Sequence, residues 1–292
     1  MAAVEAHDLA MIPDFLRPLM PIKRLREPAP LVSVLRLDGV IGAVGPLRRG
    51  LDADRLDAVI ERAFAPKRLA AVALMVNSPG GSPVQSSLIH ARIRALADEK
   101  GVPVLAFVED VAASGGYWLA LAGDEIWADA SSIVGSIGVI TRSFGLVDVI
   151  ARFGVERRVH ASGARKGALD PFRPEQPEDA AMLEAIQADI FAAFKDLVRE
   201  RRGDRLKGLE DDLFSGAFWS GRGALELGLI DGIGNARTVL RERFGERVRL
   251  RPVAGRRSWL RRRFGADSLA AGLAGAAIGA AEERALWGRY GL

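Results

Sequence analysis

The sequence predicts an α/β fold with a mainly parallel sheet, and three observations support this prediction. Apolar runs of strand length occur at 31–37, 70–76 and 102–108. The run AAVALMV at 70–76 is continuous rather than alternating, which is typical of a strand with both faces covered. Glycine-rich turns and helical patterns follow the second and third runs. Because strands that alternate with helices usually form parallel sheets with crossover helices, we expect helices on both faces.

The predicted strands are short apolar or β-branched runs bounded by glycine, proline or charged residues. Asp38 and Gly39 predict a turn after the first strand, and VIGAV is then expected to form a return strand. VERRV is expected to complete a later unit of strand and helix. In chain order, the predicted strands are 31–37, 40–44, 70–76, 102–108, 125–128 and 155–159.

The predicted helices are recognised by apolar spacing and by the residues at their N-termini. Residues 52–64 place apolar side chains at the i, i+3, i+4, i+7 spacing of a one-sided helix. Ser82 followed by Pro83 is typical of an N-cap with proline at the first helical position. Residues 178–202 carry one apolar stripe along a long helix. In chain order, the predicted helices are 52–64, 83–98, a helix that begins after Ser114, 145–153, 178–202, 221–228 and 235–244.

Composition divides the chain into three parts. Residues 1–30 contain five prolines and no sustained periodicity, which predicts an N-terminal arm. Residues 31–245 hold the predicted strands and helices and are expected to form the main domain. Residues 246–292 are rich first in arginine and then in alanine and glycine, and they are predicted to form a C-terminal tail.

The composition also excludes several functional classes. There are no cysteines, so disulfides, thiol catalysis and cysteine metal sites are absent. The three histidines lack the spacing of a metal site, and we expect neither a metal nor another cofactor. Residues 247–263 hold eight arginines and no acidic residue, so the rest of the chain is net negative despite the overall charge of +4. We therefore expect no nucleic-acid partner.

Ser114 lies in the segment VAASGGYWL, where a strand leads into a helix. Backbone N–H groups at the start of a helix are unpaired and favour negative charge. The serine therefore either caps the helix or acts as a nucleophile beside these groups. A second glycine turn, 79–81, follows the neighbouring strand. The N–H groups of Gly81 and Gly115 could bind an oxyanion, or the glycines could simply permit tight turns.

A serine nucleophile needs a base, and the sequence offers two candidates. The segment AASGG lacks the first glycine of the GxSxG motif, and His160 has no obvious carboxylate to orient it. Lys166 lies in a loop of small residues flanked by glycines. A lysine can act as general base where desolvation keeps its amine neutral. The alternative is that Lys166 is an ordinary solvated surface charge.

Five segments occur in a distinctive order and spacing: NSPGGSP, VAASGGYWLA, SIVGSIGVI, SGARKGALDPFRP and GLID. Together they resemble the signal peptide peptidase A family of bacterial serine peptidases, also called protease IV, in its short single-domain form. The resemblance covers residues 33–243. It implies the fold shared with Clp protease and crotonases, a spiral of ββα units, so that residues 31–245 would be a peptidase domain.

The resemblance also implies a Ser–Lys dyad. It gives Ser114 as nucleophile, Lys166 as general base, and Gly81 and Gly115 as the oxyanion hole. Ser136, in GSIG, resembles the hydroxyl that orients the lysine amine. The implied activity is serine endopeptidase cleavage of extended peptides, such as released signal peptides or other short hydrophobic peptides, through an acyl-enzyme. In relatives, the serine and the lysine of one site come from adjacent protomers or tandem domains, so a homo-oligomer with a shared site is expected.

Many members of that family begin with a membrane anchor, whereas no run here reaches the ~18 apolar residues that a span needs. We therefore expect a cytoplasmic protein. The segment RSWLRRRFGADSLAAGLAG, residues 257–275, could contact the inner face of the bacterial membrane as a peripheral anchor. It could equally combine a solvated charge run with a helix packed on a neighbouring subunit.

Two other functions are compatible with parts of the pattern. A crotonase-like acyl-CoA enzyme would also use two backbone N–H donors, and Ser114 and Lys166 would then be incidental. A non-catalytic scaffold at the membrane would need neither residue. The presence of the serine, the lysine and both glycine turns favours the peptidase.

Overall fold

The computed structural model describes residues 28–42, 50–253 and 273–292. In these ranges the strands are, in chain order, β1 (Leu31–Asp38), β2 (Leu69–Ser78), β3 (Val104–Ala113), β4 (Glu125–Ala128), β5 (Ile133–Gly135), β6 (Phe218–Ser220), β7 (Gly232–Ile233) and β8 (Arg249–Val253). The α-helices are α1 (Ala53–Phe64), α2 (Pro83–Lys100), α3 (Gly115–Ala120), α4 (Val147–Arg152), α5 (Pro177–Arg202), α6 (Glu210–Leu213), α7 (Gly221–Glu226), α8 (Ala236–Phe244) and α9 (Leu273–Gly288). A 3₁₀ turn, Gly203–Arg205, follows α5.

The strands form one sheet in the order β6-β5-β3-β2-β1-β8, and β4 pairs with both β3 and β7. Among the strands described, β5 and β6 form the one antiparallel pair. All the other pairs are parallel. The predicted α/β class with a mainly parallel sheet is confirmed.

Strand β3 changes partner along its length. Residues 105–108 pair with β4, whereas residues 111–113 pair with β5. The sequence predicts that this strand ends at 108, but the polar residues Glu109 and Asp110 continue it. Their carboxylates accept hydrogen bonds from Arg36 and Asn77, respectively. The two polar residues are thereby accommodated near the carboxyl end of β3. The extended strand delivers the chain directly to Ser114.

Both faces of the sheet are covered, as the continuous apolar run in β2 predicts. On one face, Val72, Leu74 and Val76 pack in a large core cluster with residues of α1, α2, α3 and α5. On the other face, Ala71 and Ala73 pack in a smaller cluster with residues of α8. Successive strand residues point to opposite faces, so burial of both sets requires helices on both sides.

A buried ion pair fixes the end of α5 to the sheet. Arg202 is 2% exposed and donates hydrogen bonds of 2.7 and 3.0 Å to Asp231. Partial burial alone would raise the pKa of Asp231, but hydrogen bonds from Arg202 and from the Ile126 N–H, with the charges of Arg202 and Arg205, hold it below its usual value. Because Asp231 also accepts a hydrogen bond from the Ile126 N–H of β4, the pair ties α5 to β4. Loss of one partner would leave a buried unpaired charge.

Two predicted strands are wrong. Residues 155–159 are irregular and exposed, and none of the strands that the structure describes pairs with them. Residues 40–42 form no return strand. Ile41 instead makes isolated parallel bridges to Leu51 and Gly81. Both edges of β1 are already occupied by β2 and β8, so no edge is free for a returning strand. Residues 43–44 lie outside the described ranges.

The sheet extends beyond residue 245, where the sequence predicts the start of the C-terminal tail. Strand β8 pairs in parallel with β1 over five residues. Farther along the chain, Tyr290 packs with Val111 and Ala113 of β3. Most of the predicted N-terminal arm, residues 1–27, and most of the segment 257–275 lie outside the described ranges. None of the helices in the described ranges is both long and apolar enough to cross a membrane.

His90 makes the stability of this fold dependent on pH. Burial, together with the positive charges of Arg201 and Arg94, lowers the pKa of His90 in α2 from 6.5 to about 4. The unfolded chain therefore binds a proton that the folded chain does not bind between pH 6.5 and 4. We expect the free energy of unfolding to fall by about 3 kcal/mol across that interval because of this residue.

Urea unfolding at a series of pH values checks this expectation. The His90→Gln variant should show a smaller loss of stability between pH 6.5 and 4 than the unmodified protein. His160→Gln, at an exposed position, serves as the matched control. Equal slopes for the unmodified protein and His90→Gln would contradict the assignment.

Candidate active site

Two glycine turns meet at the carboxyl end of the sheet. Strands β2 and β3 are parallel neighbours, so residues 79–81 after β2 and 114–116 after β3 lie side by side. Gly80 approaches Ser114 so closely that an added Cβ would lie 2.9 Å from the Ser114 Cβ and 2.9 Å from the Ala113 carbonyl oxygen. In open α/β sheets, ligands bind at this end of the strands.

Ser114 has a backbone conformation that few side-chain-bearing residues adopt. Its φ and ψ are 54° and −122°, and its side chain makes no capping hydrogen bond to α3. Its backbone N–H donates to the Gly135 carbonyl at 2.8 Å, which links β3 to β5. Such conformations cost about 1–3 kcal/mol and concentrate at functional sites. The side chain of Ser114 is thus not committed to the helix-cap role that its position in the sequence permits.

The glycines around Ser114 are required by lack of space. A Cβ on Gly116 would lie 2.3 Å from the Ser78 carbonyl oxygen, and one on Gly81 would lie 2.1 Å from the Ile41 carbonyl oxygen. A Cβ on Gly115 would lie 2.5 Å from the Ser86 Oγ. Larger residues would therefore clash with Ser78 at the end of β2, with Ile41 or with Ser86 of α2.

Two backbone donors lie beside Ser114. Gly115 is the first residue of α3, and a Cβ on it would lie 3.4 Å from the Gly81 nitrogen. Neither the Gly81 N–H nor the Gly115 N–H has a backbone acceptor within the described part of the chain. Both glycines line the same cavity as Ser114. A pair of free N–H groups in such a place can bind a developing oxyanion.

The cavity beside Ser114 has a volume of about 280 Å³ and a largely apolar lining. Trp118 of α3 and Phe194 of α5 stack there with ring centroids 4.7 Å apart. The cavity therefore suits an apolar side chain of a bound molecule. Its lining consists of Pro79, Gly81, Pro83, Ser114, Gly115, Trp118, Gly138, Val139, Ile140, Arg142, Ile190, Phe194, Leu286, Arg289 and Tyr290.

Ser136 lies close to Ser114 through the pairing of β3 with β5. Ala113 pairs with Gly135, and the Ser114 N–H donates to the Gly135 carbonyl. Ser136 is 4% exposed, and its φ is 53°. Ser114, Ser136 and Leu169 are the non-glycine residues with positive φ in the described ranges, and each lies in a segment that the sequence singles out.

Lys166 does not line this cavity. It is exposed in a loop, where its backbone N–H donates to the Gly163 carbonyl at 3.2 Å. His160 is exposed as well. A single chain therefore brings Ser114 together with Gly81, Gly115 and Ser136, and it leaves the lysine apart from them.

The sequence does not reveal the part of the cavity wall contributed by the C-terminus. Leu286, Arg289 and Tyr290 come from a region predicted to be a tail, and Ile140 and Arg142 come from a loop. The spacing of Leu286 and Tyr290, four residues apart, is the one signal that these side chains share a face.

Comparison with known proteins places the chain in a family. The model of Peptidase family S49 matches residues 97–247, just over half of the chain. The chain therefore belongs to this family of serine peptidases, which includes signal peptide peptidase A.

Three similar proteins illustrate the relationship. A Brucella abortus protein named Na(+)/H(+) antiporter NhaA is 49% identical over 96% of this chain and 39% of its own length. The chloroplastic serine protease SPPA of Arabidopsis thaliana is 32% identical over 70% of this chain and 30% of its own length. The chain thus spans less than half of either relative. A structure of the 1510-N membrane-bound stomatin-specific protease, S97A mutant, has a TM-score of 0.49 at 16% identity. The match covers 78% of this chain and 99% of that one.

The close approach of the two turns makes a prediction about Gly116. We expect Gly116→Ala to destabilise the protein by about 1–3 kcal/mol, because the new methyl group would overlap the Ser78 carbonyl oxygen. Chemical denaturation measures the change. Gly145→Ala is the control, since a Cβ there meets nothing within 4 Å. A Gly116→Ala protein as stable as Gly145→Ala would contradict the tight contact.

Proposed function

We propose that the protein is a serine endopeptidase that cleaves extended peptides through a Ser–Lys dyad, with Ser114 as nucleophile and Lys166 as general base. The observation that carries this proposal is the surroundings of Ser114. Its side chain makes no cap, its backbone is strained, and two free N–H groups share its cavity. Membership of a serine peptidase family supports the same reaction class.

The reaction proceeds in two stages. The neutral amine of Lys166 takes the proton of the Ser114 hydroxyl as its Oγ attacks the scissile carbonyl carbon. The N–H groups of Gly81 and Gly115 bind the resulting oxyanion. The lysine ammonium then protonates the leaving amine as the C–N bond breaks, which leaves an ester on Ser114. Water, deprotonated by the lysine, hydrolyses this ester, and the serine recovers its proton.

The lysine of each site comes from a second copy of the chain. Lys166 is exposed and away from the cavity of its own chain, so an unaided protomer has a nucleophile without a base. A lysine in water is also a poor base, because solvation favours its protonated, charged form. Burial of the Lys166 side chain at an interface would place it near Ser114 of the neighbour and desolvate the amine.

The surface around Lys166 supports such an interface. Helix α4 has no buried residue, although it carries apolar side chains. Phe144 is 82% exposed and Phe153 is 76% exposed, which is unusual for a surface that faces water alone. The large apolar side chains exposed between residues 140 and 186 are Ile140, Phe144, Val149, Phe153, Val155, Val159, Leu169 and Ile186. A homo-oligomer would cover this surface and complete the site at the same interface.

Ser136 is proposed to orient the incoming lysine amine. It follows Gly135, which accepts the Ser114 backbone hydrogen bond, and it is buried in a strained conformation. A hydroxyl there could accept a hydrogen bond from the amine and keep it directed at the nucleophile. Its effect would be on positioning rather than on bond making.

The proposed substrates are extended, apolar peptides, such as released signal peptides. The glycine turns 79–81 and 114–116 allow a peptide backbone to approach the sheet edge closely. Trp118 and Phe194 offer an apolar surface for a side chain next to the cleaved bond. We further propose a cytoplasmic protein with peripheral membrane contact. The antiport named for the Brucella relative is not proposed for this chain, which covers 39% of that protein.

Complementation between two inactive variants tests the shared dyad. We expect Ser114→Ala and Lys166→Ala each to lower peptide cleavage by about 10³-fold or more, since nucleophile and base act as a unit. Co-expression of the two in equal amounts should restore activity, because about a quarter of the interfaces would pair an intact serine with an intact lysine. Cleavage of a quenched fluorescent peptide by the purified mixture measures the recovery.

In the matched control, Ser114→Ala is co-expressed with a chain that carries both Ser114→Ala and Lys166→Ala. That mixture contains no intact serine and should stay inactive. Full activity of Lys166→Ala alone would refute the base assignment. Inactivity of the first mixture would refute the shared site while leaving the serine nucleophile open to direct labelling.

A further inference from the structure

We propose that the cavity beside Ser114 selects peptides that carry a carboxylate next to the apolar side chain bound in the cavity. The inference rests on the proposed peptidase function and names a substrate class for the same site. Two arginines carry it, Arg142 and Arg289, which line the cavity together with Ser114. They reach it from different parts of the chain, the loop after β5 and the turn after α9.

Neither arginine has an acidic partner. Within the described ranges, no carboxylate lies at salt-bridge distance from Arg142 or Arg289. In contrast, Arg36, Arg94 and Arg202 are each paired with an acid. In the single chain both side chains are exposed at the cavity, so they can reach a molecule bound there. Two unpaired positive charges at one cavity favour an anionic ligand.

Arg289 is also held in position. Its guanidinium lies 5.6 Å from the ring centroid of Tyr290 and 5.9 Å from that of Phe218. Tyr290 is buried and packs edge-on against Phe218 at 5.1 Å. Stacking on aromatic faces leaves the N–H groups at the edge of the guanidinium free for hydrogen bonds. A planar guanidinium fixed in this way can bind a carboxylate through two parallel hydrogen bonds.

The two arginines lie beside an apolar surface. Ile190, Phe194 and Leu286 line the same cavity as the arginines, and Trp118 stacks on Phe194. An apolar side chain bound there would exclude water from the nearby ion pair and strengthen it. The combination therefore recognises a peptide with an apolar residue adjacent to a carboxylate, and it discriminates against a neutral peptide of the same shape.

The carboxylate has two possible sources in a peptide. It is either the side chain of Asp or Glu, or the free carboxylate at a C-terminus. The guanidinium chemistry is the same for both. A requirement for a terminal carboxylate would make the enzyme one that trims already released peptides, whereas a side chain would allow cleavage within longer chains.

Four forms of one quenched fluorescent peptide test the proposal. The apolar sequence is fixed, one flanking residue is Glu or Gln, and the C-terminus is a free acid or an amide. At low ionic strength we expect kcat/KM to be about tenfold higher for the favoured carboxylate form than for its neutral counterpart, as for a charge-assisted hydrogen bond. The preference should shrink as salt is added. The form that carries the preference identifies the source of the carboxylate.

Variants assign the preference to the two arginines. Arg142→Gln and Arg289→Gln should each reduce the ratio of kcat/KM between the charged and neutral peptides, and the double variant should bring it near one. Arg142→Lys and Arg289→Lys keep the charge and should retain part of the preference. Arg68→Gln is the control, since Arg68 is exposed just before β2, at the opposite end of the sheet from the site.

Binding to Ser114→Ala keeps the test independent of turnover. Fluorescence of Trp118 in the cavity wall should report tighter binding of the charged peptide, with the same loss in the arginine variants. Equal cleavage and equal binding of charged and neutral peptides would overturn the inference while leaving the peptidase function intact. A preference unchanged by both arginine substitutions would overturn it as well. Failure to cleave any peptide, with no reaction at Ser114, would overturn the proposed function and this inference together.

Discussion

The contact between the turn after β2 and the turn after β3 is the constraint on which the site depends. A Cβ on Gly116 would lie 2.3 Å from the carbonyl oxygen of Ser78, and one on Gly80 would lie 2.9 Å from the Cβ of Ser114. This contact sets the two N–H groups of Gly81 and Gly115 beside the serine. Because Gly80, Gly81 and Gly116 are packed against backbone carbonyl oxygens, the arrangement has little room to relax.

The rest of the fold holds this contact in place. Every residue of α3 is buried, and the hydroxyl of Tyr117 donates to the Leu229 carbonyl at 2.7 Å. Burial raises the pKa of Tyr117, so the hydroxyl keeps its proton and remains a donor. The strained conformation of Ser114 costs about 1–3 kcal/mol, which a packed helix on one side and a strand pairing on the other can maintain. The proposed nucleophile is thus positioned before any substrate binds.

Local patterns in the sequence predict a large part of this fold. Ser82 with Pro83 marks the start of α2, and the continuous run in β2 predicts helices on both faces. The strand prediction fails at 155–159. A strand forms only where a neighbouring strand can pair with it, and a local sequence pattern does not show whether such a neighbour exists. The extension of β3 to Ala113 is hidden for the same reason, since Glu109 and Asp110 are stabilised by residues distant in sequence.

The candidate site divides in the same way. The glycine turns single out Ser114, Gly81 and Gly115, and the family resemblance adds Ser136. The fold brings these residues to one edge of the sheet. The C-terminal wall of the cavity escapes prediction, because Tyr290 reaches the site only through its packing on β3 and Phe218. Within one chain, Lys166 does not line the cavity that contains Ser114. Because Lys166 is exposed and has an apolar surface around it, its proposed role as the base depends on how copies of the chain assemble.

Mapping the covalent adduct of a fluorophosphonate probe is the most direct measurement of the central claim, that Ser114 is the activated nucleophile. The assembled protein would be treated with the probe and digested, and the modified peptide would be sequenced by mass spectrometry. The account predicts a single phosphonylated residue, Ser114, and no adduct in Ser114→Ala. An unlabelled protein with proven peptide cleavage, or an adduct that persists on another serine in Ser114→Ala, would contradict it.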